Sequence, residues 1–413
     1  MKYSSHCVRQ QGPGRWRGVL KYKDESGAWR TVTRKLEATG KRAAETECKA
    51  WFNAMNAEDE QRAAGRAAGP AQTLADYLED YVTGKVPTVE PSTVYGYRSN
   101  IKNHVRPYSI GSVPIDELTP SDFRSWMAEA LEDYGRTTVN RAFTIVRSAM
   151  RQAVSDGTLI RNPTDGVKGP GRNGASPNSV VKEQRGRLAA ALEAAAQTPD
   201  VVGMRIAFYT GMREGEVCAL RWRNVDLESQ TISVREAVGK AGGKLYLKEP
   251  KTRGSRRTIP MPDTLAGALR ARRIEMMEQA MAAGVAFSPD MFVIGGIDKD
   301  GRTGDYRFMN PHVLWERWRA MADLLGLRGT QGRPVTYHDL RHTYATVGIS
   351  EGVDVKTVSS TLGHANAAMT LNIYADADPE AKRRAADIVA AALERDATEP
   401  GQVARFRPTG TGE

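Results

Sequence analysis

Cysteine is scarce in this 413-residue chain: Cys7, Cys48 and Cys218 are far apart and odd in number. No CxxC pair exists, so neither a disulfide framework nor a cysteine zinc cluster is indicated. A reducing cytoplasm is therefore expected. Long apolar runs are also missing; none approaches the roughly 18 residues of a membrane span. The opening stretch, MKYSSHCVRQQGPGRWRG, lacks the apolar segment of a secretory signal. No Walker phosphate loop is present. Histidine is rare too, six in all, which focuses attention on where those six fall.

Positive charge is abundant. Lys and Arg number 59 against 49 acids, a net of +10. Such an excess is compatible with nucleic acid or an anionic membrane surface, and equally with a basic cytosolic protein. At 40% hydrophobic and 26% charged the chain reads as soluble and globular. Its length suggests two or three domains.

Three blocks and a tail can be separated. In the first, 1–66, Trp16–Tyr22 and Trp29–Arg34 read as strands around an Asp24-Glu25-Ser26-Gly27 turn. A helix is expected from Lys41 to about Ala57, with Ala44, Cys48, Trp51 and Phe52 on one face. Residues 1–50 carry 12 Lys/Arg and five acids, so this small sheet and helix is a candidate DNA-contacting module or an accessory domain with a solvated basic face. An Ala/Gly linker, Gly65 to Pro70, follows. The second block, 72–165, reads as all helical: Leu74–Val82, Thr93–Val105, Pro120–Asp133 and Thr137–Asp156. In the last, Val139, Phe143, Val146, Met150 and Val154 form an apolar stripe, with Arg141, Thr144, Ser148 and Gln152 opposite, available to phosphates or simply to water.

A Gly/Pro/Ser-rich linker is expected at 166–179. The third block, 180–392, opens with helical runs Val180–Gln197 and Val201–Arg221. Strand-like runs Thr231–Arg235, Lys244–Lys248 and Arg256–Pro260 follow, and the rest is mainly helical. Residues 393–413 read as a flexible tail.

The third block carries the reactive side chains. Arg213 lies in TGMREGEV, where the glycine before it suggests a helix opening. Lys251 sits in a turn between two strand-like runs. His338, Arg341 and His342 fall in YHDLRHTY, His364 follows Leu362-Gly363, and Tyr374 comes ten residues later. Two arginines, a lysine, histidines and a tyrosine suit phosphoryl transfer. Guanidinium groups clamp the charged non-bridging oxygens bidentately. Tyr is a covalent nucleophile that needs a base or a cationic field, because its ordinary pKa is about 10. Lys can protonate a leaving alkoxide.

Each piece also has a plainer reading. Arg213 could simply pair with Glu216, Lys251 could sit in a solvated loop, and Tyr374 could be a half-buried core residue. His338 and His342 are spaced like zinc ligands, but Asp339 follows His338, so HExxH is not matched and no third ligand is near. Asp298–Asp305 resembles a calcium loop only superficially; it lacks the terminal Glu and reads as a surface turn.

Taken in order, Arg213, Lys251, His338-x-x-Arg341, His364 and Tyr374 resemble the tyrosine recombinase (phage integrase) family. The strongest part is HxxRHTYA, then LGH, then IYA. Thr210–Leu220 is similar to the family's first arginine box, and Pro250–Pro260 to the β-hairpin carrying its catalytic lysine, with Lys248 only three residues from Lys251.

The resemblance implies a multidomain fold. A small β-sheet-plus-helix domain (1–66) would bind arm-type DNA, and an all-α domain (72–165) would bind the core site. A mainly α catalytic domain with a small antiparallel sheet (180–392) would follow. It implies that Arg213 and Arg341 bind the scissile phosphate and that His364 adds a hydrogen bond. His338 would assist the Tyr374 proton, Lys251 would protonate the 5′ oxygen, and Glu216 would orient its neighbours.

The implied reaction is integration and excision of a mobile element through a 3′-phosphotyrosine, with no metal or other cofactor. Implied partners are double-stranded DNA attachment sites, a homotetramer built partly by Pro379–Leu393, and possible excisionase and DNA-bending proteins. A cytoplasmic, nucleoid-associated place away from membranes follows. Nicking and resealing like a type IB topoisomerase, or non-catalytic DNA regulation, are the alternatives.

Overall fold

The computed structural model describes residues 3–23, 27–66, 72–171, 176–249 and 256–363, with single positions at 387, 390 and 391. The chain divides into two compact units, Met1–Asn173 and Gly174–Glu413.

The first unit has two separate cores. One lies under a three-stranded antiparallel sheet, β1 (Tyr3–Gly12), β2 (Arg15–Lys23) and β3 (Trp29–Lys35), in the order β1-β2-β3. Helix α1 (Lys41–Arg66) packs its Ala44 and Cys48 against Leu20 and Leu36. The residue pattern marks β2 and β3 but not β1, the third strand that the family resemblance implies. The β1 strand (YSSHCVRQQG) is almost wholly exposed, so it lacks the apolar alternation that marks a strand. Helix α1 also runs on through Gly65 to Arg66, into the expected linker.

The other core is helical: α2 (Leu74–Lys85), α3 (Pro91–His104), α4 (Pro120–Asp133) and α5 (Arg136–Ser155). α4 opens with Pro120, and Asp122 accepts from the Thr119 backbone N–H at 2.8 Å. In α5, Val139, Phe143, Val146 and Met150 are buried, whereas Arg141 and Thr144 are exposed. Each large apolar side chain removed from water there contributes about 1.5–3 kcal/mol.

The second unit begins with α6 (Lys182–Ala194), α7 (Pro199–Thr210) and a short α8 (Glu214–Cys218). The run expected as one helix from Val201 to Arg221 is broken at Gly211, whose φ of +65° is left-handed. Strands β4 (Val225–Asp226), β5 (Thr231–Val234) and β8 (Arg257–Pro260) form one antiparallel sheet; β6 (Ala237–Ala241) and β7 (Lys244–Lys248) form another. The two strand-like runs flanking Lys251 therefore belong to different sheets. β7 pairs with β6 and β8 with β5, rather than with each other as a hairpin.

Helices α9 (Asp263–Ala282), α10 (Pro311–Leu324), α11 (Tyr337–Ser350) and α12 (Val355–Leu362) complete the unit. The Asp298–Asp305 segment is a turn: the Asp300 N–H donates to the Asp305 carbonyl at 2.7 Å, and Asp298 pairs with Arg307 at 2.8 Å. Among the described residues no helix is long and apolar enough to cross a membrane.

Candidate active site

The site is assembled where α7, α8, β8, α11 and α12 meet. Its geometry starts with α11. Thr336 caps this helix: its hydroxyl accepts from the Asp339 N–H at 3.3 Å, and Asp339 accepts from the Thr336 N–H at 2.7 Å. The buried Tyr337 hydroxyl donates to the Gly203 carbonyl at 2.9 Å, and its ring meets Trp318 edge-on at 6.2 Å. Trp318 in turn donates to the Val335 carbonyl at 3.0 Å. These contacts fix how α11 is rotated, and so where His338 and Arg341 lie.

Arg341 is 2% exposed. Its Nη1 donates to the Gly211 carbonyl at 3.0 Å and its Nη2 to the Leu362 carbonyl at 2.7 Å. It therefore ties together the C-termini of α7 and α12, whose helix dipoles present partial negative charge there. Burial, then the charge of Arg213, pulls its pKa down to about 9, so the guanidinium stays charged at neutral pH. Gly211 makes the junction possible. A Cβ there would lie 2.5 Å from a methyl group of Leu362 and 3.1 Å from the Tyr344 ring.

Arg213 stands at the N-cap of α8. Glu216, one turn on and 7% exposed, accepts from the Arg213 backbone N–H at 2.9 Å and from its Nη1 at 3.0 Å. The same carboxylate receives a forked pair from Arg257, Nη1 to Oε1 at 3.1 Å and Nη2 to Oε2 at 2.8 Å. Burial alone would raise the Glu216 pKa. The hydrogen bonds and charge of Arg257, then those of Arg213, outweigh it and hold the carboxyl below its ordinary value. Arg257 also donates from Nε to the Thr361 carbonyl at 2.6 Å.

His338 is exposed at the rim, and its ring meets His342 edge-on at 4.9 Å. Enclosure by surrounding protein atoms, then His342 and Arg341, pulls its pKa down to about 4, so it is neutral at pH 7. Arg213 contributes to the same depression, so Arg213, Arg341 and His338 share one electrostatic neighbourhood. His342, spaced like a second zinc ligand, has a buried Nδ1 with no hydrogen-bond partner. Among the described residues no group of three or more His, Cys, Asp or Glu side chains is placed to hold a metal.

The structure thus brings Arg213, Glu216, His338 and Arg341 together. Lys251, His364 and Tyr374 lie outside the described residues. Arg257 was not singled out from sequence. Its signal was present, however: in Arg257-Thr-Ile-Pro, strand alternation puts Arg257 on the same inward face as Ile259.

A buried Arg341 held on the ends of α7 and α12, a partly exposed Arg213 and a neutral histidine suit an anion such as a phosphodiester. Known proteins bear on that reading. The phage integrase family model matches residues 179–381, and the phage integrase N-terminal SAM-like domain matches residues 73–130.

A tyrosine recombinase XerC-like protein of Caldanaerobacter subterraneus is 25% identical over 312 residues, covering 72% of this chain and 77% of that protein. The ICEBs1 integrase of Bacillus subtilis is 24% identical over 306 residues, with coverage of 72% and 77%. The transposase from transposon Tn916 of Enterococcus faecalis is 24% identical over 296 residues, with coverage of 70% and 71%.

Among solved structures, the Tn1549 transposon integrase in complex with a circular intermediate DNA aligns with a TM-score of 0.58 at 21% identity, over 79% of this chain and 99% of that one. A lambda integrase dimer bound to a COC′ core site gives 0.52 at 15%, over 89% and 93%. The fold is that of the DNA integrases. The two family models together span more than half of the sequence, and the chain belongs to the phage integrase family of tyrosine recombinases.

Proposed function

We propose that this chain cuts and rejoins double-stranded DNA at specific sites to integrate and excise a mobile element, with Tyr374 as nucleophile. The observation that carries the reading is the Arg213–Glu216–Arg341 constellation beside a neutral His338, in the same unit as the Lys251, His364 and Tyr374 motifs.

In this reading the Tyr374 oxygen attacks the scissile phosphorus. Arg213 and Arg341 hold the non-bridging oxygens and stabilise the pentavalent transition state. His364 adds a hydrogen bond to one of them. His338 accepts the Tyr374 proton; the phosphate's negative charge raises its basicity from the low value of the free protein. The phosphorus–O5′ bond breaks, and Lys251 gives its proton to the departing oxygen. The products are a 3′-phosphotyrosine and a free 5′ hydroxyl. A 5′ hydroxyl from the partner duplex then attacks the phosphotyrosine, and the protons return. The bond count is conserved, so the cycle needs no high-energy cofactor.

Residues 1–66 bind arm-type sites and 72–165 clasp the core site, joined by a linker at 166–179 to the catalytic domain at 180–392, with a tail at 393–413. Four protomers hold two duplexes, with Pro379–Leu393 packing on a neighbour; that segment lies outside the described residues but for positions 387, 390 and 391. Excisionase and DNA-bending proteins set direction, and the enzyme works on the nucleoid in the cytoplasm. DNA-bound solved relatives, one a lambda integrase tetramer on a Holliday junction, support the DNA and multimer parts.

The test is single-turnover cleavage of a nicked duplex taken from the ends of the encoding element. Wild type should form a denaturant-resistant protein–DNA adduct and Tyr374→Phe none. Tight binding without an adduct in wild type would overturn the reading in favour of a DNA-binding regulator. Relaxation of supercoils without strand exchange would favour the topoisomerase-like alternative.

A further inference from the structure

Arg257 sits behind the reactive groups rather than among them, yet it touches two of the parts that place them. Its guanidinium is almost fully buried and forks onto both oxygens of Glu216, and its Nε reaches the Thr361 carbonyl at 2.6 Å. Arg341 binds the next carbonyl along, that of Leu362. Two arginines from different elements therefore grip consecutive carbonyls at the end of α12. One residue further, Gly363 turns the chain left-handed at φ +67°, immediately before His364.

The division of Glu216 matters for Arg213. A carboxylate offers about four acceptor sites, and a guanidinium five donors. Because Arg257 takes a share of both oxygens, Glu216 holds Arg213 through the backbone N–H and through Nη1. Arg213 keeps its remaining donors, and its side chain is 38% exposed, as a phosphate clamp requires.

We propose that Arg257 is a positioning residue for the recombinase reaction. It keeps Glu216 ionised and shared, so that Glu216 orients Arg213 without consuming it. It also locks the C-terminus of α12, and with it the approach to His364, onto β8. Because β8 begins two residues after the 250–255 segment that carries Lys251, one side chain links three motifs separated in sequence. This inference rests on the recombinase reading above.

The test uses full-length Arg257→Met and Arg257→Lys beside wild type and Tyr374→Phe, in the nicked-duplex assay across a pH series, with site affinity and melting temperature measured on the same samples. Methionine keeps the volume and removes both charge and fork. We expect affinity for the site to be retained and adduct formation to slow by on the order of 100-fold at neutral pH, the scale set by a misplacement of about 1 Å. The deficit should narrow as pH rises, because Glu216 without Arg257 ionises only at higher pH; wild type should show no such recovery. Lysine keeps the charge but not the planar fork, so it should restore part of the rate.

A merely structural role predicts instead a deficit that tracks the melting temperature and ignores pH; that pattern would overturn the proposal. So would wild-type cleavage in Arg257→Lys, which decides the matter if Arg257→Met does not fold. Absence of the adduct in wild type would sink the recombinase reading itself. Its presence in wild type and absence in Tyr374→Phe leaves the Arg257 result to be judged alone.

Discussion

Glu216→Ala should destabilise the catalytic unit far more than an ordinary helix substitution. The carboxylate is buried and answers two cations, one buried (Arg257) and one partly exposed (Arg213). Removing it takes the Glu216 counter-charge away from the buried Arg257 guanidinium. Breaking a buried pair by deleting one partner costs about 3–5 kcal/mol. The partly exposed Arg213 contact adds about 0–1 kcal/mol. For a unit of this size each kcal/mol lowers the melting temperature by about 2–4 °C, so a fall of roughly 6–24 °C is expected.

The double variant Glu216→Leu, Arg257→Met should regain much of the loss, because an apolar pair of similar volume removes the desolvation cost together with the attraction. The effect has a pH signature. The folded-state pKa of Glu216 lies below its unfolded value, so its contribution is complete above the ordinary carboxyl pKa and is lost as pH falls through the folded value. The gap between wild type and Glu216→Ala should therefore shrink under acid. Scanning calorimetry of the full chain reads both quantities. A fall of less than about 2 °C at neutral pH, or a gap that widens under acid, would refute the argument.

Three other outcomes are expected. Gly211→Ala forces a side chain into a left-handed backbone and against Leu362, so a loss of about 2–4 kcal/mol in denaturant unfolding is expected; a neutral result would contradict the close packing of α7 on α12. Arg341→Ala should abolish adduct formation, a loss on the order of 100-fold or more, while site affinity in gel-shift titration stays nearly unchanged; parallel loss of binding would undermine the clamp. Deleting 1–66 should spare core-site cleavage and impair integration in a two-site strand-transfer assay, and an unimpaired reaction would sink the arm-binding assignment.

The helices were the legible part of the fold. α4 and α5 declare themselves by apolar residues three and four apart, by Pro120 at a helix start, and by Thr119 with Asp122 ahead of an apolar run. β1 was not legible because its few apolar residues, Tyr3, Cys7 and Val8, do not alternate regularly with polar ones; Tyr3 and Val8 join the core and pairing with β2 sets the rest. Local pattern also could not reveal that β7 and β8, adjacent in sequence, pair with β6 and β5 instead of each other. That choice is made by tertiary partners.

In the site, the spacing of Arg213 to Glu216 already put the two one helical turn apart, although the break at Gly211 that makes their helix short was not legible. Arg257 was hidden by its company: in a run of basic residues, Arg253, Arg256 and Arg257 look alike, and only burial distinguishes the last from exposed Arg256. A charged residue in phase with Ile259 on a strand was the available clue.

Cleavage through this site requires that Tyr374 become covalently joined to DNA. The most direct measurement is to trap wild-type adduct on the nicked duplex, digest protein and DNA, and identify by mass spectrometry the peptide that keeps a nucleotide remnant. A 3′-phosphonucleotide is expected on Tyr374, in the peptide containing Leu371-Asn-Ile-Tyr374, and on no other residue. A remnant on a different side chain, or cleavage that leaves no covalent remnant at all, would contradict it.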